Sequence, residues 1–353
     1  MTPQAFRAAN PHLFFLDPAD LSGASAYLTR HQLLHDGESI VRLEPAGDGN
    51  MNCTLRAFTQ SRTLIIKQAR PWVEKYPQFA APWDRVLREA DFYRLAATHP
   101  EVDRFLPKLL ATDAESRVLV LEDLGQAGDY TGIYRGETLS GETVLHLADF
   151  LSSLHGAFDG DPHPPQVRNQ DMRQLNHAHI FTIPLQEDNR LDLDTIQPGL
   201  QAAANRLKAS TTYRNEVARL GSEVYLADGP TLIHGDFFPG SLIRTAQGPR
   251  VIDPEFCYSG RPEYDVGVFL AHLFLGAQPI ELWLALRARY HAPRGFEDRL
   301  VHQIAGVEIM RRLIGYAQLP LIWGFQARLA LLKLSHDLVL QPDQALAHLP
   351  IAS

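Results

Sequence analysis

The sequence predicts a bilobal α/β (α+β) protein with a small β-rich N-terminal lobe and a larger, mainly helical C-terminal lobe. Three observations predict it. Short apolar, β-branched runs separated by turn formers crowd residues 1–124. Amphipathic helical periodicity dominates after residue 141. One segment, residues 232–256 (LIHGDFFPGSLIRTAQGPRVIDPEF), interrupts the helices with two short apolar runs around a loop rich in Pro and Gly. The 353 residues suffice for two lobes with buried cores. The expected division is 1–124 and 125–353.

Taken in order, residues 18–35 have a helical look, with Leu21, Ala24, Tyr27 and Leu28 on one face. Residues 39–43 and 53–58 read as strands joined by a polar turn containing Gly47, Asp48, Gly49 and Asn50. Such a turn can aim backbone N–H groups at phosphates, although most are plain hairpin turns. The next strand and helix raise its value. Residues 63–67 (TLIIK) form a strand ending in Lys67, and a helix expected over 84–97 offers Glu89 as its partner. Residues 117–125 read as a buried strand leaving into a linker, and 125–141 as the crossing into the larger lobe. An amphipathic helix covers 142–158, with Leu145, Ala148, Leu151 and Leu154 on one face and a structural His155. His177 and His179, at i and i+2, do not share a helix face, so no metal site is expected there. A long helix is expected over 200–225. After the 232–256 segment come helices over 264–276, 279–290, 296–319 and 321–340.

The 232–256 segment carries chemistry. It gathers His234, Asp236, Ser241, Asp253 and Glu255 into a strand–loop–strand–turn–strand unit. Phosphoryl transfer needs one carboxylate to orient the attacking hydroxyl and others to hold the metal that neutralises the phosphates. The pattern H-x-D, an oxygen- or nitrogen-bearing side chain five positions later, then D-x-[EG] follows kinase catalytic-loop logic. Ser241 stands where Asn is commoner, and D-P-E where D-F-G is commoner. An Asp in a turn-rich loop is unremarkable alone; the joint spacing is not. In that frame the backbone of Glu122 and Leu124 would meet an adenine, and ATP and Mg²⁺ are the expected cofactors.

Composition excludes other classes. A net charge of −8 with no Lys/Arg run argues against general nucleic-acid binding. The most apolar stretch, residues 266–277, is too short to cross a membrane, and the N-terminus lacks a signal-peptide pattern. Cys53 and Cys257, without a C-x-x-C, read as reduced thiols of a cytoplasmic protein.

The motifs GDGNMN, LIIKQARP, DRVLRE, VLVLEDLG, HGDFFPGSLI, VIDPEF and MRRLIGYA span most of the chain. On them the sequence resembles the aminoglycoside phosphotransferase and choline kinase superfamily, and within it the methylthioribose kinases. The resemblance implies a protein-kinase-like fold, Asp236 as catalytic base or hydroxyl-orienting residue, and Asp253, Glu255 and Ser241 at magnesium. It implies Lys67 at the phosphates, Arg311 and Arg312 at the substrate, and a homodimer. Residues 76–84 depart from the family's Gly-Glu-Ser-Trp loop; Phe79 or Trp83 stands nearest its Trp, neither in register. The expected activity is ATP-dependent phosphorylation of a pentose-like sugar, methylthioribose or a related deoxypentose. The alternatives are a kinase of an aminoglycoside, choline or homoserine, and a nucleotide-binding pseudokinase. Intact Lys67, Asp236 and Asp253 argue against the last.

Overall fold

The β-branched runs near the N-terminus form β1 (Ile40–Pro45), β2 (Cys53–Thr59) and β3 (Thr63–Gln68). A small hairpin, β4 (Trp72–Val73) and β5 (Tyr76–Ala80), comes next, then β6 (Leu109–Asp113) and β7 (Val118–Glu122). The computed structural model describes residues 3–47, 49, 51–160 and 165–344, and of residues 165 and 166 the backbone alone. The chain divides into two compact units, Met1–Gly128 with Arg250–Glu255, and Asp129–Pro249 with Phe256–Ser353.

In the first unit the strands pair antiparallel in the order β1-β2-β3-β7-β6. Period-two burial along β2 turns Cys53, Leu55 and Ala57 to one face. They pack with Leu64, Ile66, Val118 and Val120 and with Leu16, Tyr27 and Leu28 of the N-terminal segment. That segment holds α1 (Pro3–Ala9) and α2 (Leu21–Arg30). α2 is N-capped by the Asp20 carboxylate, which accepts from Gly23 N at 2.8 Å. The other face of the unit carries α3 (Arg85–Ala96) against β6 and β7, followed by α4 (Pro100–Asp103).

The second unit is mainly helical: α5 (Gly141–Ala157), α6 (Gln170–His177), α7 (Leu200–Ala209), α8 (Thr211–Arg219), α9 (Glu263–Leu275), α10 (Ile280–Arg289), α11 (Asp298–Ile314) and α12 (Phe325–Leu340). α11 is its axis, packed on α9 and α12 and buried at every position from Ile304 to Ile314. A Cβ at Gly267 of α9 would lie 2.7 Å from the Val301 carbonyl oxygen of α11, so this close helix crossing requires glycine. The strands Thr231–Ile233 and Tyr258–Gly260 pair antiparallel. Among the described residues no helix is long and apolar enough to cross a membrane.

The helix expected over 200–225 is broken. Ser210 ends α7 and caps α8, its hydroxyl accepting from Tyr213 N at 3.4 Å, and the last turn, Leu220–Tyr225, widens to a π-helix. α6 likewise runs into a π-turn, Ala178–Thr182. α11 ends at Ile314, short of the residue 319 expected, and the strand before Asp253 ends at Val251.

Candidate active site

The His-Gly-Asp loop of the second unit is pinned from behind by its backbone. Asp265, at the start of α9, accepts from His234 N at 2.7 Å and from Gly235 N at 2.9 Å. His155 of α5 approaches the same carboxylate through Nε2 at 3.3 Å, while its Nδ1 faces the Tyr290 hydroxyl at 2.7 Å. A carboxylate only accepts, so His155 Nε2 is the donor in that contact. Gly235 adopts φ +83°, and a Cβ there would sit 2.2 Å from the Phe256 carbonyl oxygen, so only glycine permits the turn. Asp236 N donates to His234 Nδ1 at 3.3 Å, and the Ser241 hydroxyl donates to the Asp236 carbonyl at 3.0 Å. The Asp236 backbone is thus held from both sides, leaving its half-buried carboxylate to act.

What that carboxylate faces is cationic. Arg311 Nη2 and Arg312 Nη2, both from the last turn of α11, lie 3.6 and 3.7 Å from Asp236 Oδ1. Burial raises the Asp236 pKa, the two arginines oppose it, and nearby Glu308 adds to it. Glu308 lies one turn back on the same helix, with Oε2 2.8 Å from Arg311 Nε and Oε1 2.7 Å from Arg312 Nε. Burial alone would raise the Glu308 carboxyl, but the two arginines hold it far below the usual carboxylate range. Behind it His272 Nε2 lies 3.1 Å from Glu308 Oε1, and His272 Nδ1 lies 2.5 Å from the Tyr134 hydroxyl. Burial pushes His272 down to about 4, so the ring is neutral, taking a proton from Tyr134 on Nδ1 and donating from Nε2. The Arg312 guanidinium also lies over the Phe238 ring, 4.8 Å from its centroid.

The first unit holds a second polar cluster. Register pairs Lys67 with Thr54 on β2 and Leu119 on β7, and its ammonium reaches α3, where Glu89 Oε2 lies 2.5 Å away. The same ammonium donates to Asp253 Oδ1. Burial alone would lower the Lys67 pKa, but Asp253, Glu89 and Glu255 raise it, so it stays charged. Glu89, Asp253 and Glu255 each offer an oxygen within 4.8 Å of the others. Burial pushes Glu89 up to about 8 and Glu255 up to about 7; Lys67 opposes both and Asp253 reinforces both. Three crowded carboxylates with one ammonium among them have the oxygen chemistry of a divalent-cation site of the Mg²⁺ kind. Asp253 adopts φ +66°, a left-handed conformation uncommon outside glycine, which turns its carboxylate toward Lys67.

Glu255 is held by a residue that sequence reasoning missed. Asn52 Nδ2 donates to Glu255 Oε2 at 2.7 Å, and Arg85 Nε donates to Asn52 Oδ1 at 2.8 Å. The Arg85 guanidinium, fully enclosed, also donates to the carbonyls of Met51, Arg70, Trp72 and Pro82. Nothing local in the sequence distinguishes Asn52 from the turn beside it. Glu308 was missed as well, although here a signal exists: i, i+3 and i+4 spacing places Glu308, Arg311 and Arg312 on one helix face.

The other expected residues are more scattered. Gly47 (φ +86°) and Gly49 are exposed between β1 and β2, while Asp48 and Asn50 lie outside the described residues. Glu122 closes β7 with its backbone N donating to Lys108 O at 2.9 Å, and Leu124 is half-buried just after it. Arg56 fixes this exit by a two-pronged pair with Asp123 at 2.8 and 3.0 Å. Trp83 is engaged inside its unit, donating to Ala69 O and packed on Phe6, whereas Phe79 on β5 is 56% exposed. His177 and His179 belong to no potential metal group among the described residues. Cys53 and Cys257 are buried.

A model of the phosphotransferase enzyme family matches residues 44–301. The methylthioribose kinase of Exiguobacterium sibiricum is 29% identical, the match covering 80% of this chain and 81% of that protein. The methylthioribose kinase of Geobacillus sp. (strain WCH70) is 25% identical, the match covering 94% of each. Among solved structures, spectinomycin phosphotransferase APH(9)-Ia in complex with ADP and spectinomycin superposes with a TM-score of 0.51, covering 94% of each chain. At 14% identity that likeness concerns the fold alone.

Proposed function

As a member of the phosphotransferase enzyme family, within the aminoglycoside phosphotransferase and choline kinase superfamily, the chain is an ATP-dependent small-molecule kinase, and we propose that its acceptor is a neutral pentose-like sugar, methylthioribose or a related deoxypentose. The observation that carries the choice of acceptor is the pair Arg311 and Arg312 beside Asp236. Their guanidinium forks suit sugar hydroxyls and phosphoryl oxygens and stay charged at any working pH. A cationic acceptor, such as choline or an aminoglycoside, would be repelled there. Relatives named methylthioribose kinase over most of their length support the same choice.

In this reading the acceptor hydroxyl donates to Asp236. Its oxygen forms a bond to the γ-phosphorus as the bond to the bridging oxygen of ADP breaks, and the hydroxyl proton passes to Asp236. Positioning and charge neutralisation supply most of the rate. Lys67, held by Glu89, takes the ATP phosphates; Glu122 and Leu124 meet the adenine through their backbone. Asp253 and Glu255 would hold Mg²⁺, whose charge would offset that of the phosphates. Ser241 supports the loop by its bond to the Asp236 carbonyl.

The test is ATP-dependent phosphorylation of methylthioribose, 5-deoxyribose, ribose, choline, homoserine and kanamycin, with Arg311→Ala as a control. Preference for methylthioribose or deoxyribose, lost in Arg311→Ala, is expected. Preference for choline or kanamycin, or indifference to the arginine change, overturns the sugar reading.

A further inference from the structure

The two arginines do not aim themselves. Each guanidinium has an Nε edge and an Nη end, and a partner on one side decides where the other side points. In the second unit one carboxylate lies against both Nε atoms, hydrogen-bonded to that of Arg312 and ion-paired with that of Arg311. Glu308 Oε1 takes Arg312 Nε at 2.7 Å, and Oε2 lies 2.8 Å from Arg311 Nε. The Nη2 atoms are then left facing Asp236 at 3.6 and 3.7 Å. The remaining Nη contacts are long: Arg311 Nη1 to Asn176 Oδ1 and Arg312 Nη1 to the Ala317 carbonyl, both 3.4 Å. The closest contacts, one hydrogen bond and one ion pair, are therefore behind and the longer ones in front.

Glu308 is itself buttressed. It is 2% exposed, and His272 Nε2 and the Tyr134 hydroxyl continue the chain of bonds into the interior, with both residues fully buried. Charge makes the same point. Two adjacent arginines at 6% exposure repel each other and carry a large desolvation cost. One shared anion between them offsets both terms, and leaves Asp236 and an incoming phosphoryl group to face the other half of their charge.

We propose that Glu308, backed by His272 and Tyr134, is the positioning residue that aims Arg311 and Arg312 at the acceptor. The inference rests on the acceptor role given to those arginines above. Its functional consequence is specific. Loss of the Glu308 charge releases the Nη ends from the acceptor side and leaves the Lys67 cluster of the first unit untouched.

The experiment pairs structures with kinetics of Glu308→Gln, Glu308→Asp and Tyr134→Phe. Crystal structures of wild type and Glu308→Gln should show both guanidiniums withdrawn from Asp236 in the variant; guanidiniums left in place overturn the proposal. With the best acceptor of the panel, Glu308→Gln should raise the acceptor KM about tenfold while the ATP KM stays within about twofold. Glu308→Asp should restore part of the loss, and Tyr134→Phe should raise the acceptor KM by a few-fold. Equal rises in both KM values, or none, overturn it. If Glu308→Gln fails to fold, the other two variants decide by the same comparison of KM values. If wild type phosphorylates no sugar, the sugar reading fails, and the guanidinium geometry alone decides the role of Glu308.

Discussion

Asn52 donates its side-chain amide to Glu255 at 2.7 Å, joining two residues 203 positions apart. Arg85 Nε, on the other side of the same amide, fixes which way that amide points. One Glu255 oxygen is thereby occupied, and the carboxylate is held in one orientation. A partner that orients a metal ligand typically changes metal affinity 10–100-fold when removed. Asn52→Ala should therefore raise the Mg²⁺ concentration for half-maximal activity about tenfold. Mn²⁺ binding followed by electron paramagnetic resonance should weaken in parallel. An unchanged metal requirement would detach Asn52 from the proposed metal site.

Lys67 gives a prediction of opposite sign for metal and nucleotide. Its ammonium sits against Glu89 and Asp253, so it competes with any cation for those oxygens while offering charge to phosphates. Lys67→Ala should raise the ATP KM, or lower kcat, by about tenfold or more, yet bind Mn²⁺ without nucleotide at least as tightly as wild type. Weakened binding of the bare metal would show that Lys67 builds the carboxylate cluster instead of occupying it.

Much of what forms each unit's polar cluster was readable from spacing, because the groups lie in short stretches. His234, Asp236 and Ser241 lie in one loop, and Lys67 and Glu89 on the strand and helix where the pattern put them. Arg311 and Arg312 sit adjacent in sequence and space. What escaped was long-range or conformational. The Asn52–Glu255 bond crosses most of the chain, and the Arg85 side chain disappears into backbone carbonyls that no periodicity announces. The break at Ser210 went unread because apolar spacing continues through it while the Ser210 hydroxyl starts a new helix. The left-handed Asp253 has no sequence signature at all, since only its surroundings hold it there.

The His272 environment predicts acid sensitivity of the fold. Its pKa falls from an ordinary 6.5 to about 4 in the folded chain. Between those values the unfolded chain binds the proton and the folded chain does not. The stabilising contribution is therefore complete above pH 6.5 and is lost as pH falls toward 4, by up to about 3 kcal/mol at ~1.4 kcal/mol per pH unit. His272→Gln keeps a donor and an acceptor but cannot titrate. Urea unfolding at pH 7.5, 6, 5 and 4 should show wild type losing stability across this window more steeply than the variant. Parallel pH curves would remove His272 as the cause.

The central claim is that Asp236 orients and deprotonates the acceptor hydroxyl. Asp236→Asn keeps the side-chain volume but removes the base. The deciding measurement is phosphate transfer from ATP to methylthioribose by wild type and Asp236→Asn, followed by ³¹P NMR alongside ATP binding by calorimetry. A fall in turnover of about 10²–10⁴-fold with ATP affinity nearly unchanged is predicted. Near-wild-type transfer by Asp236→Asn would contradict the account.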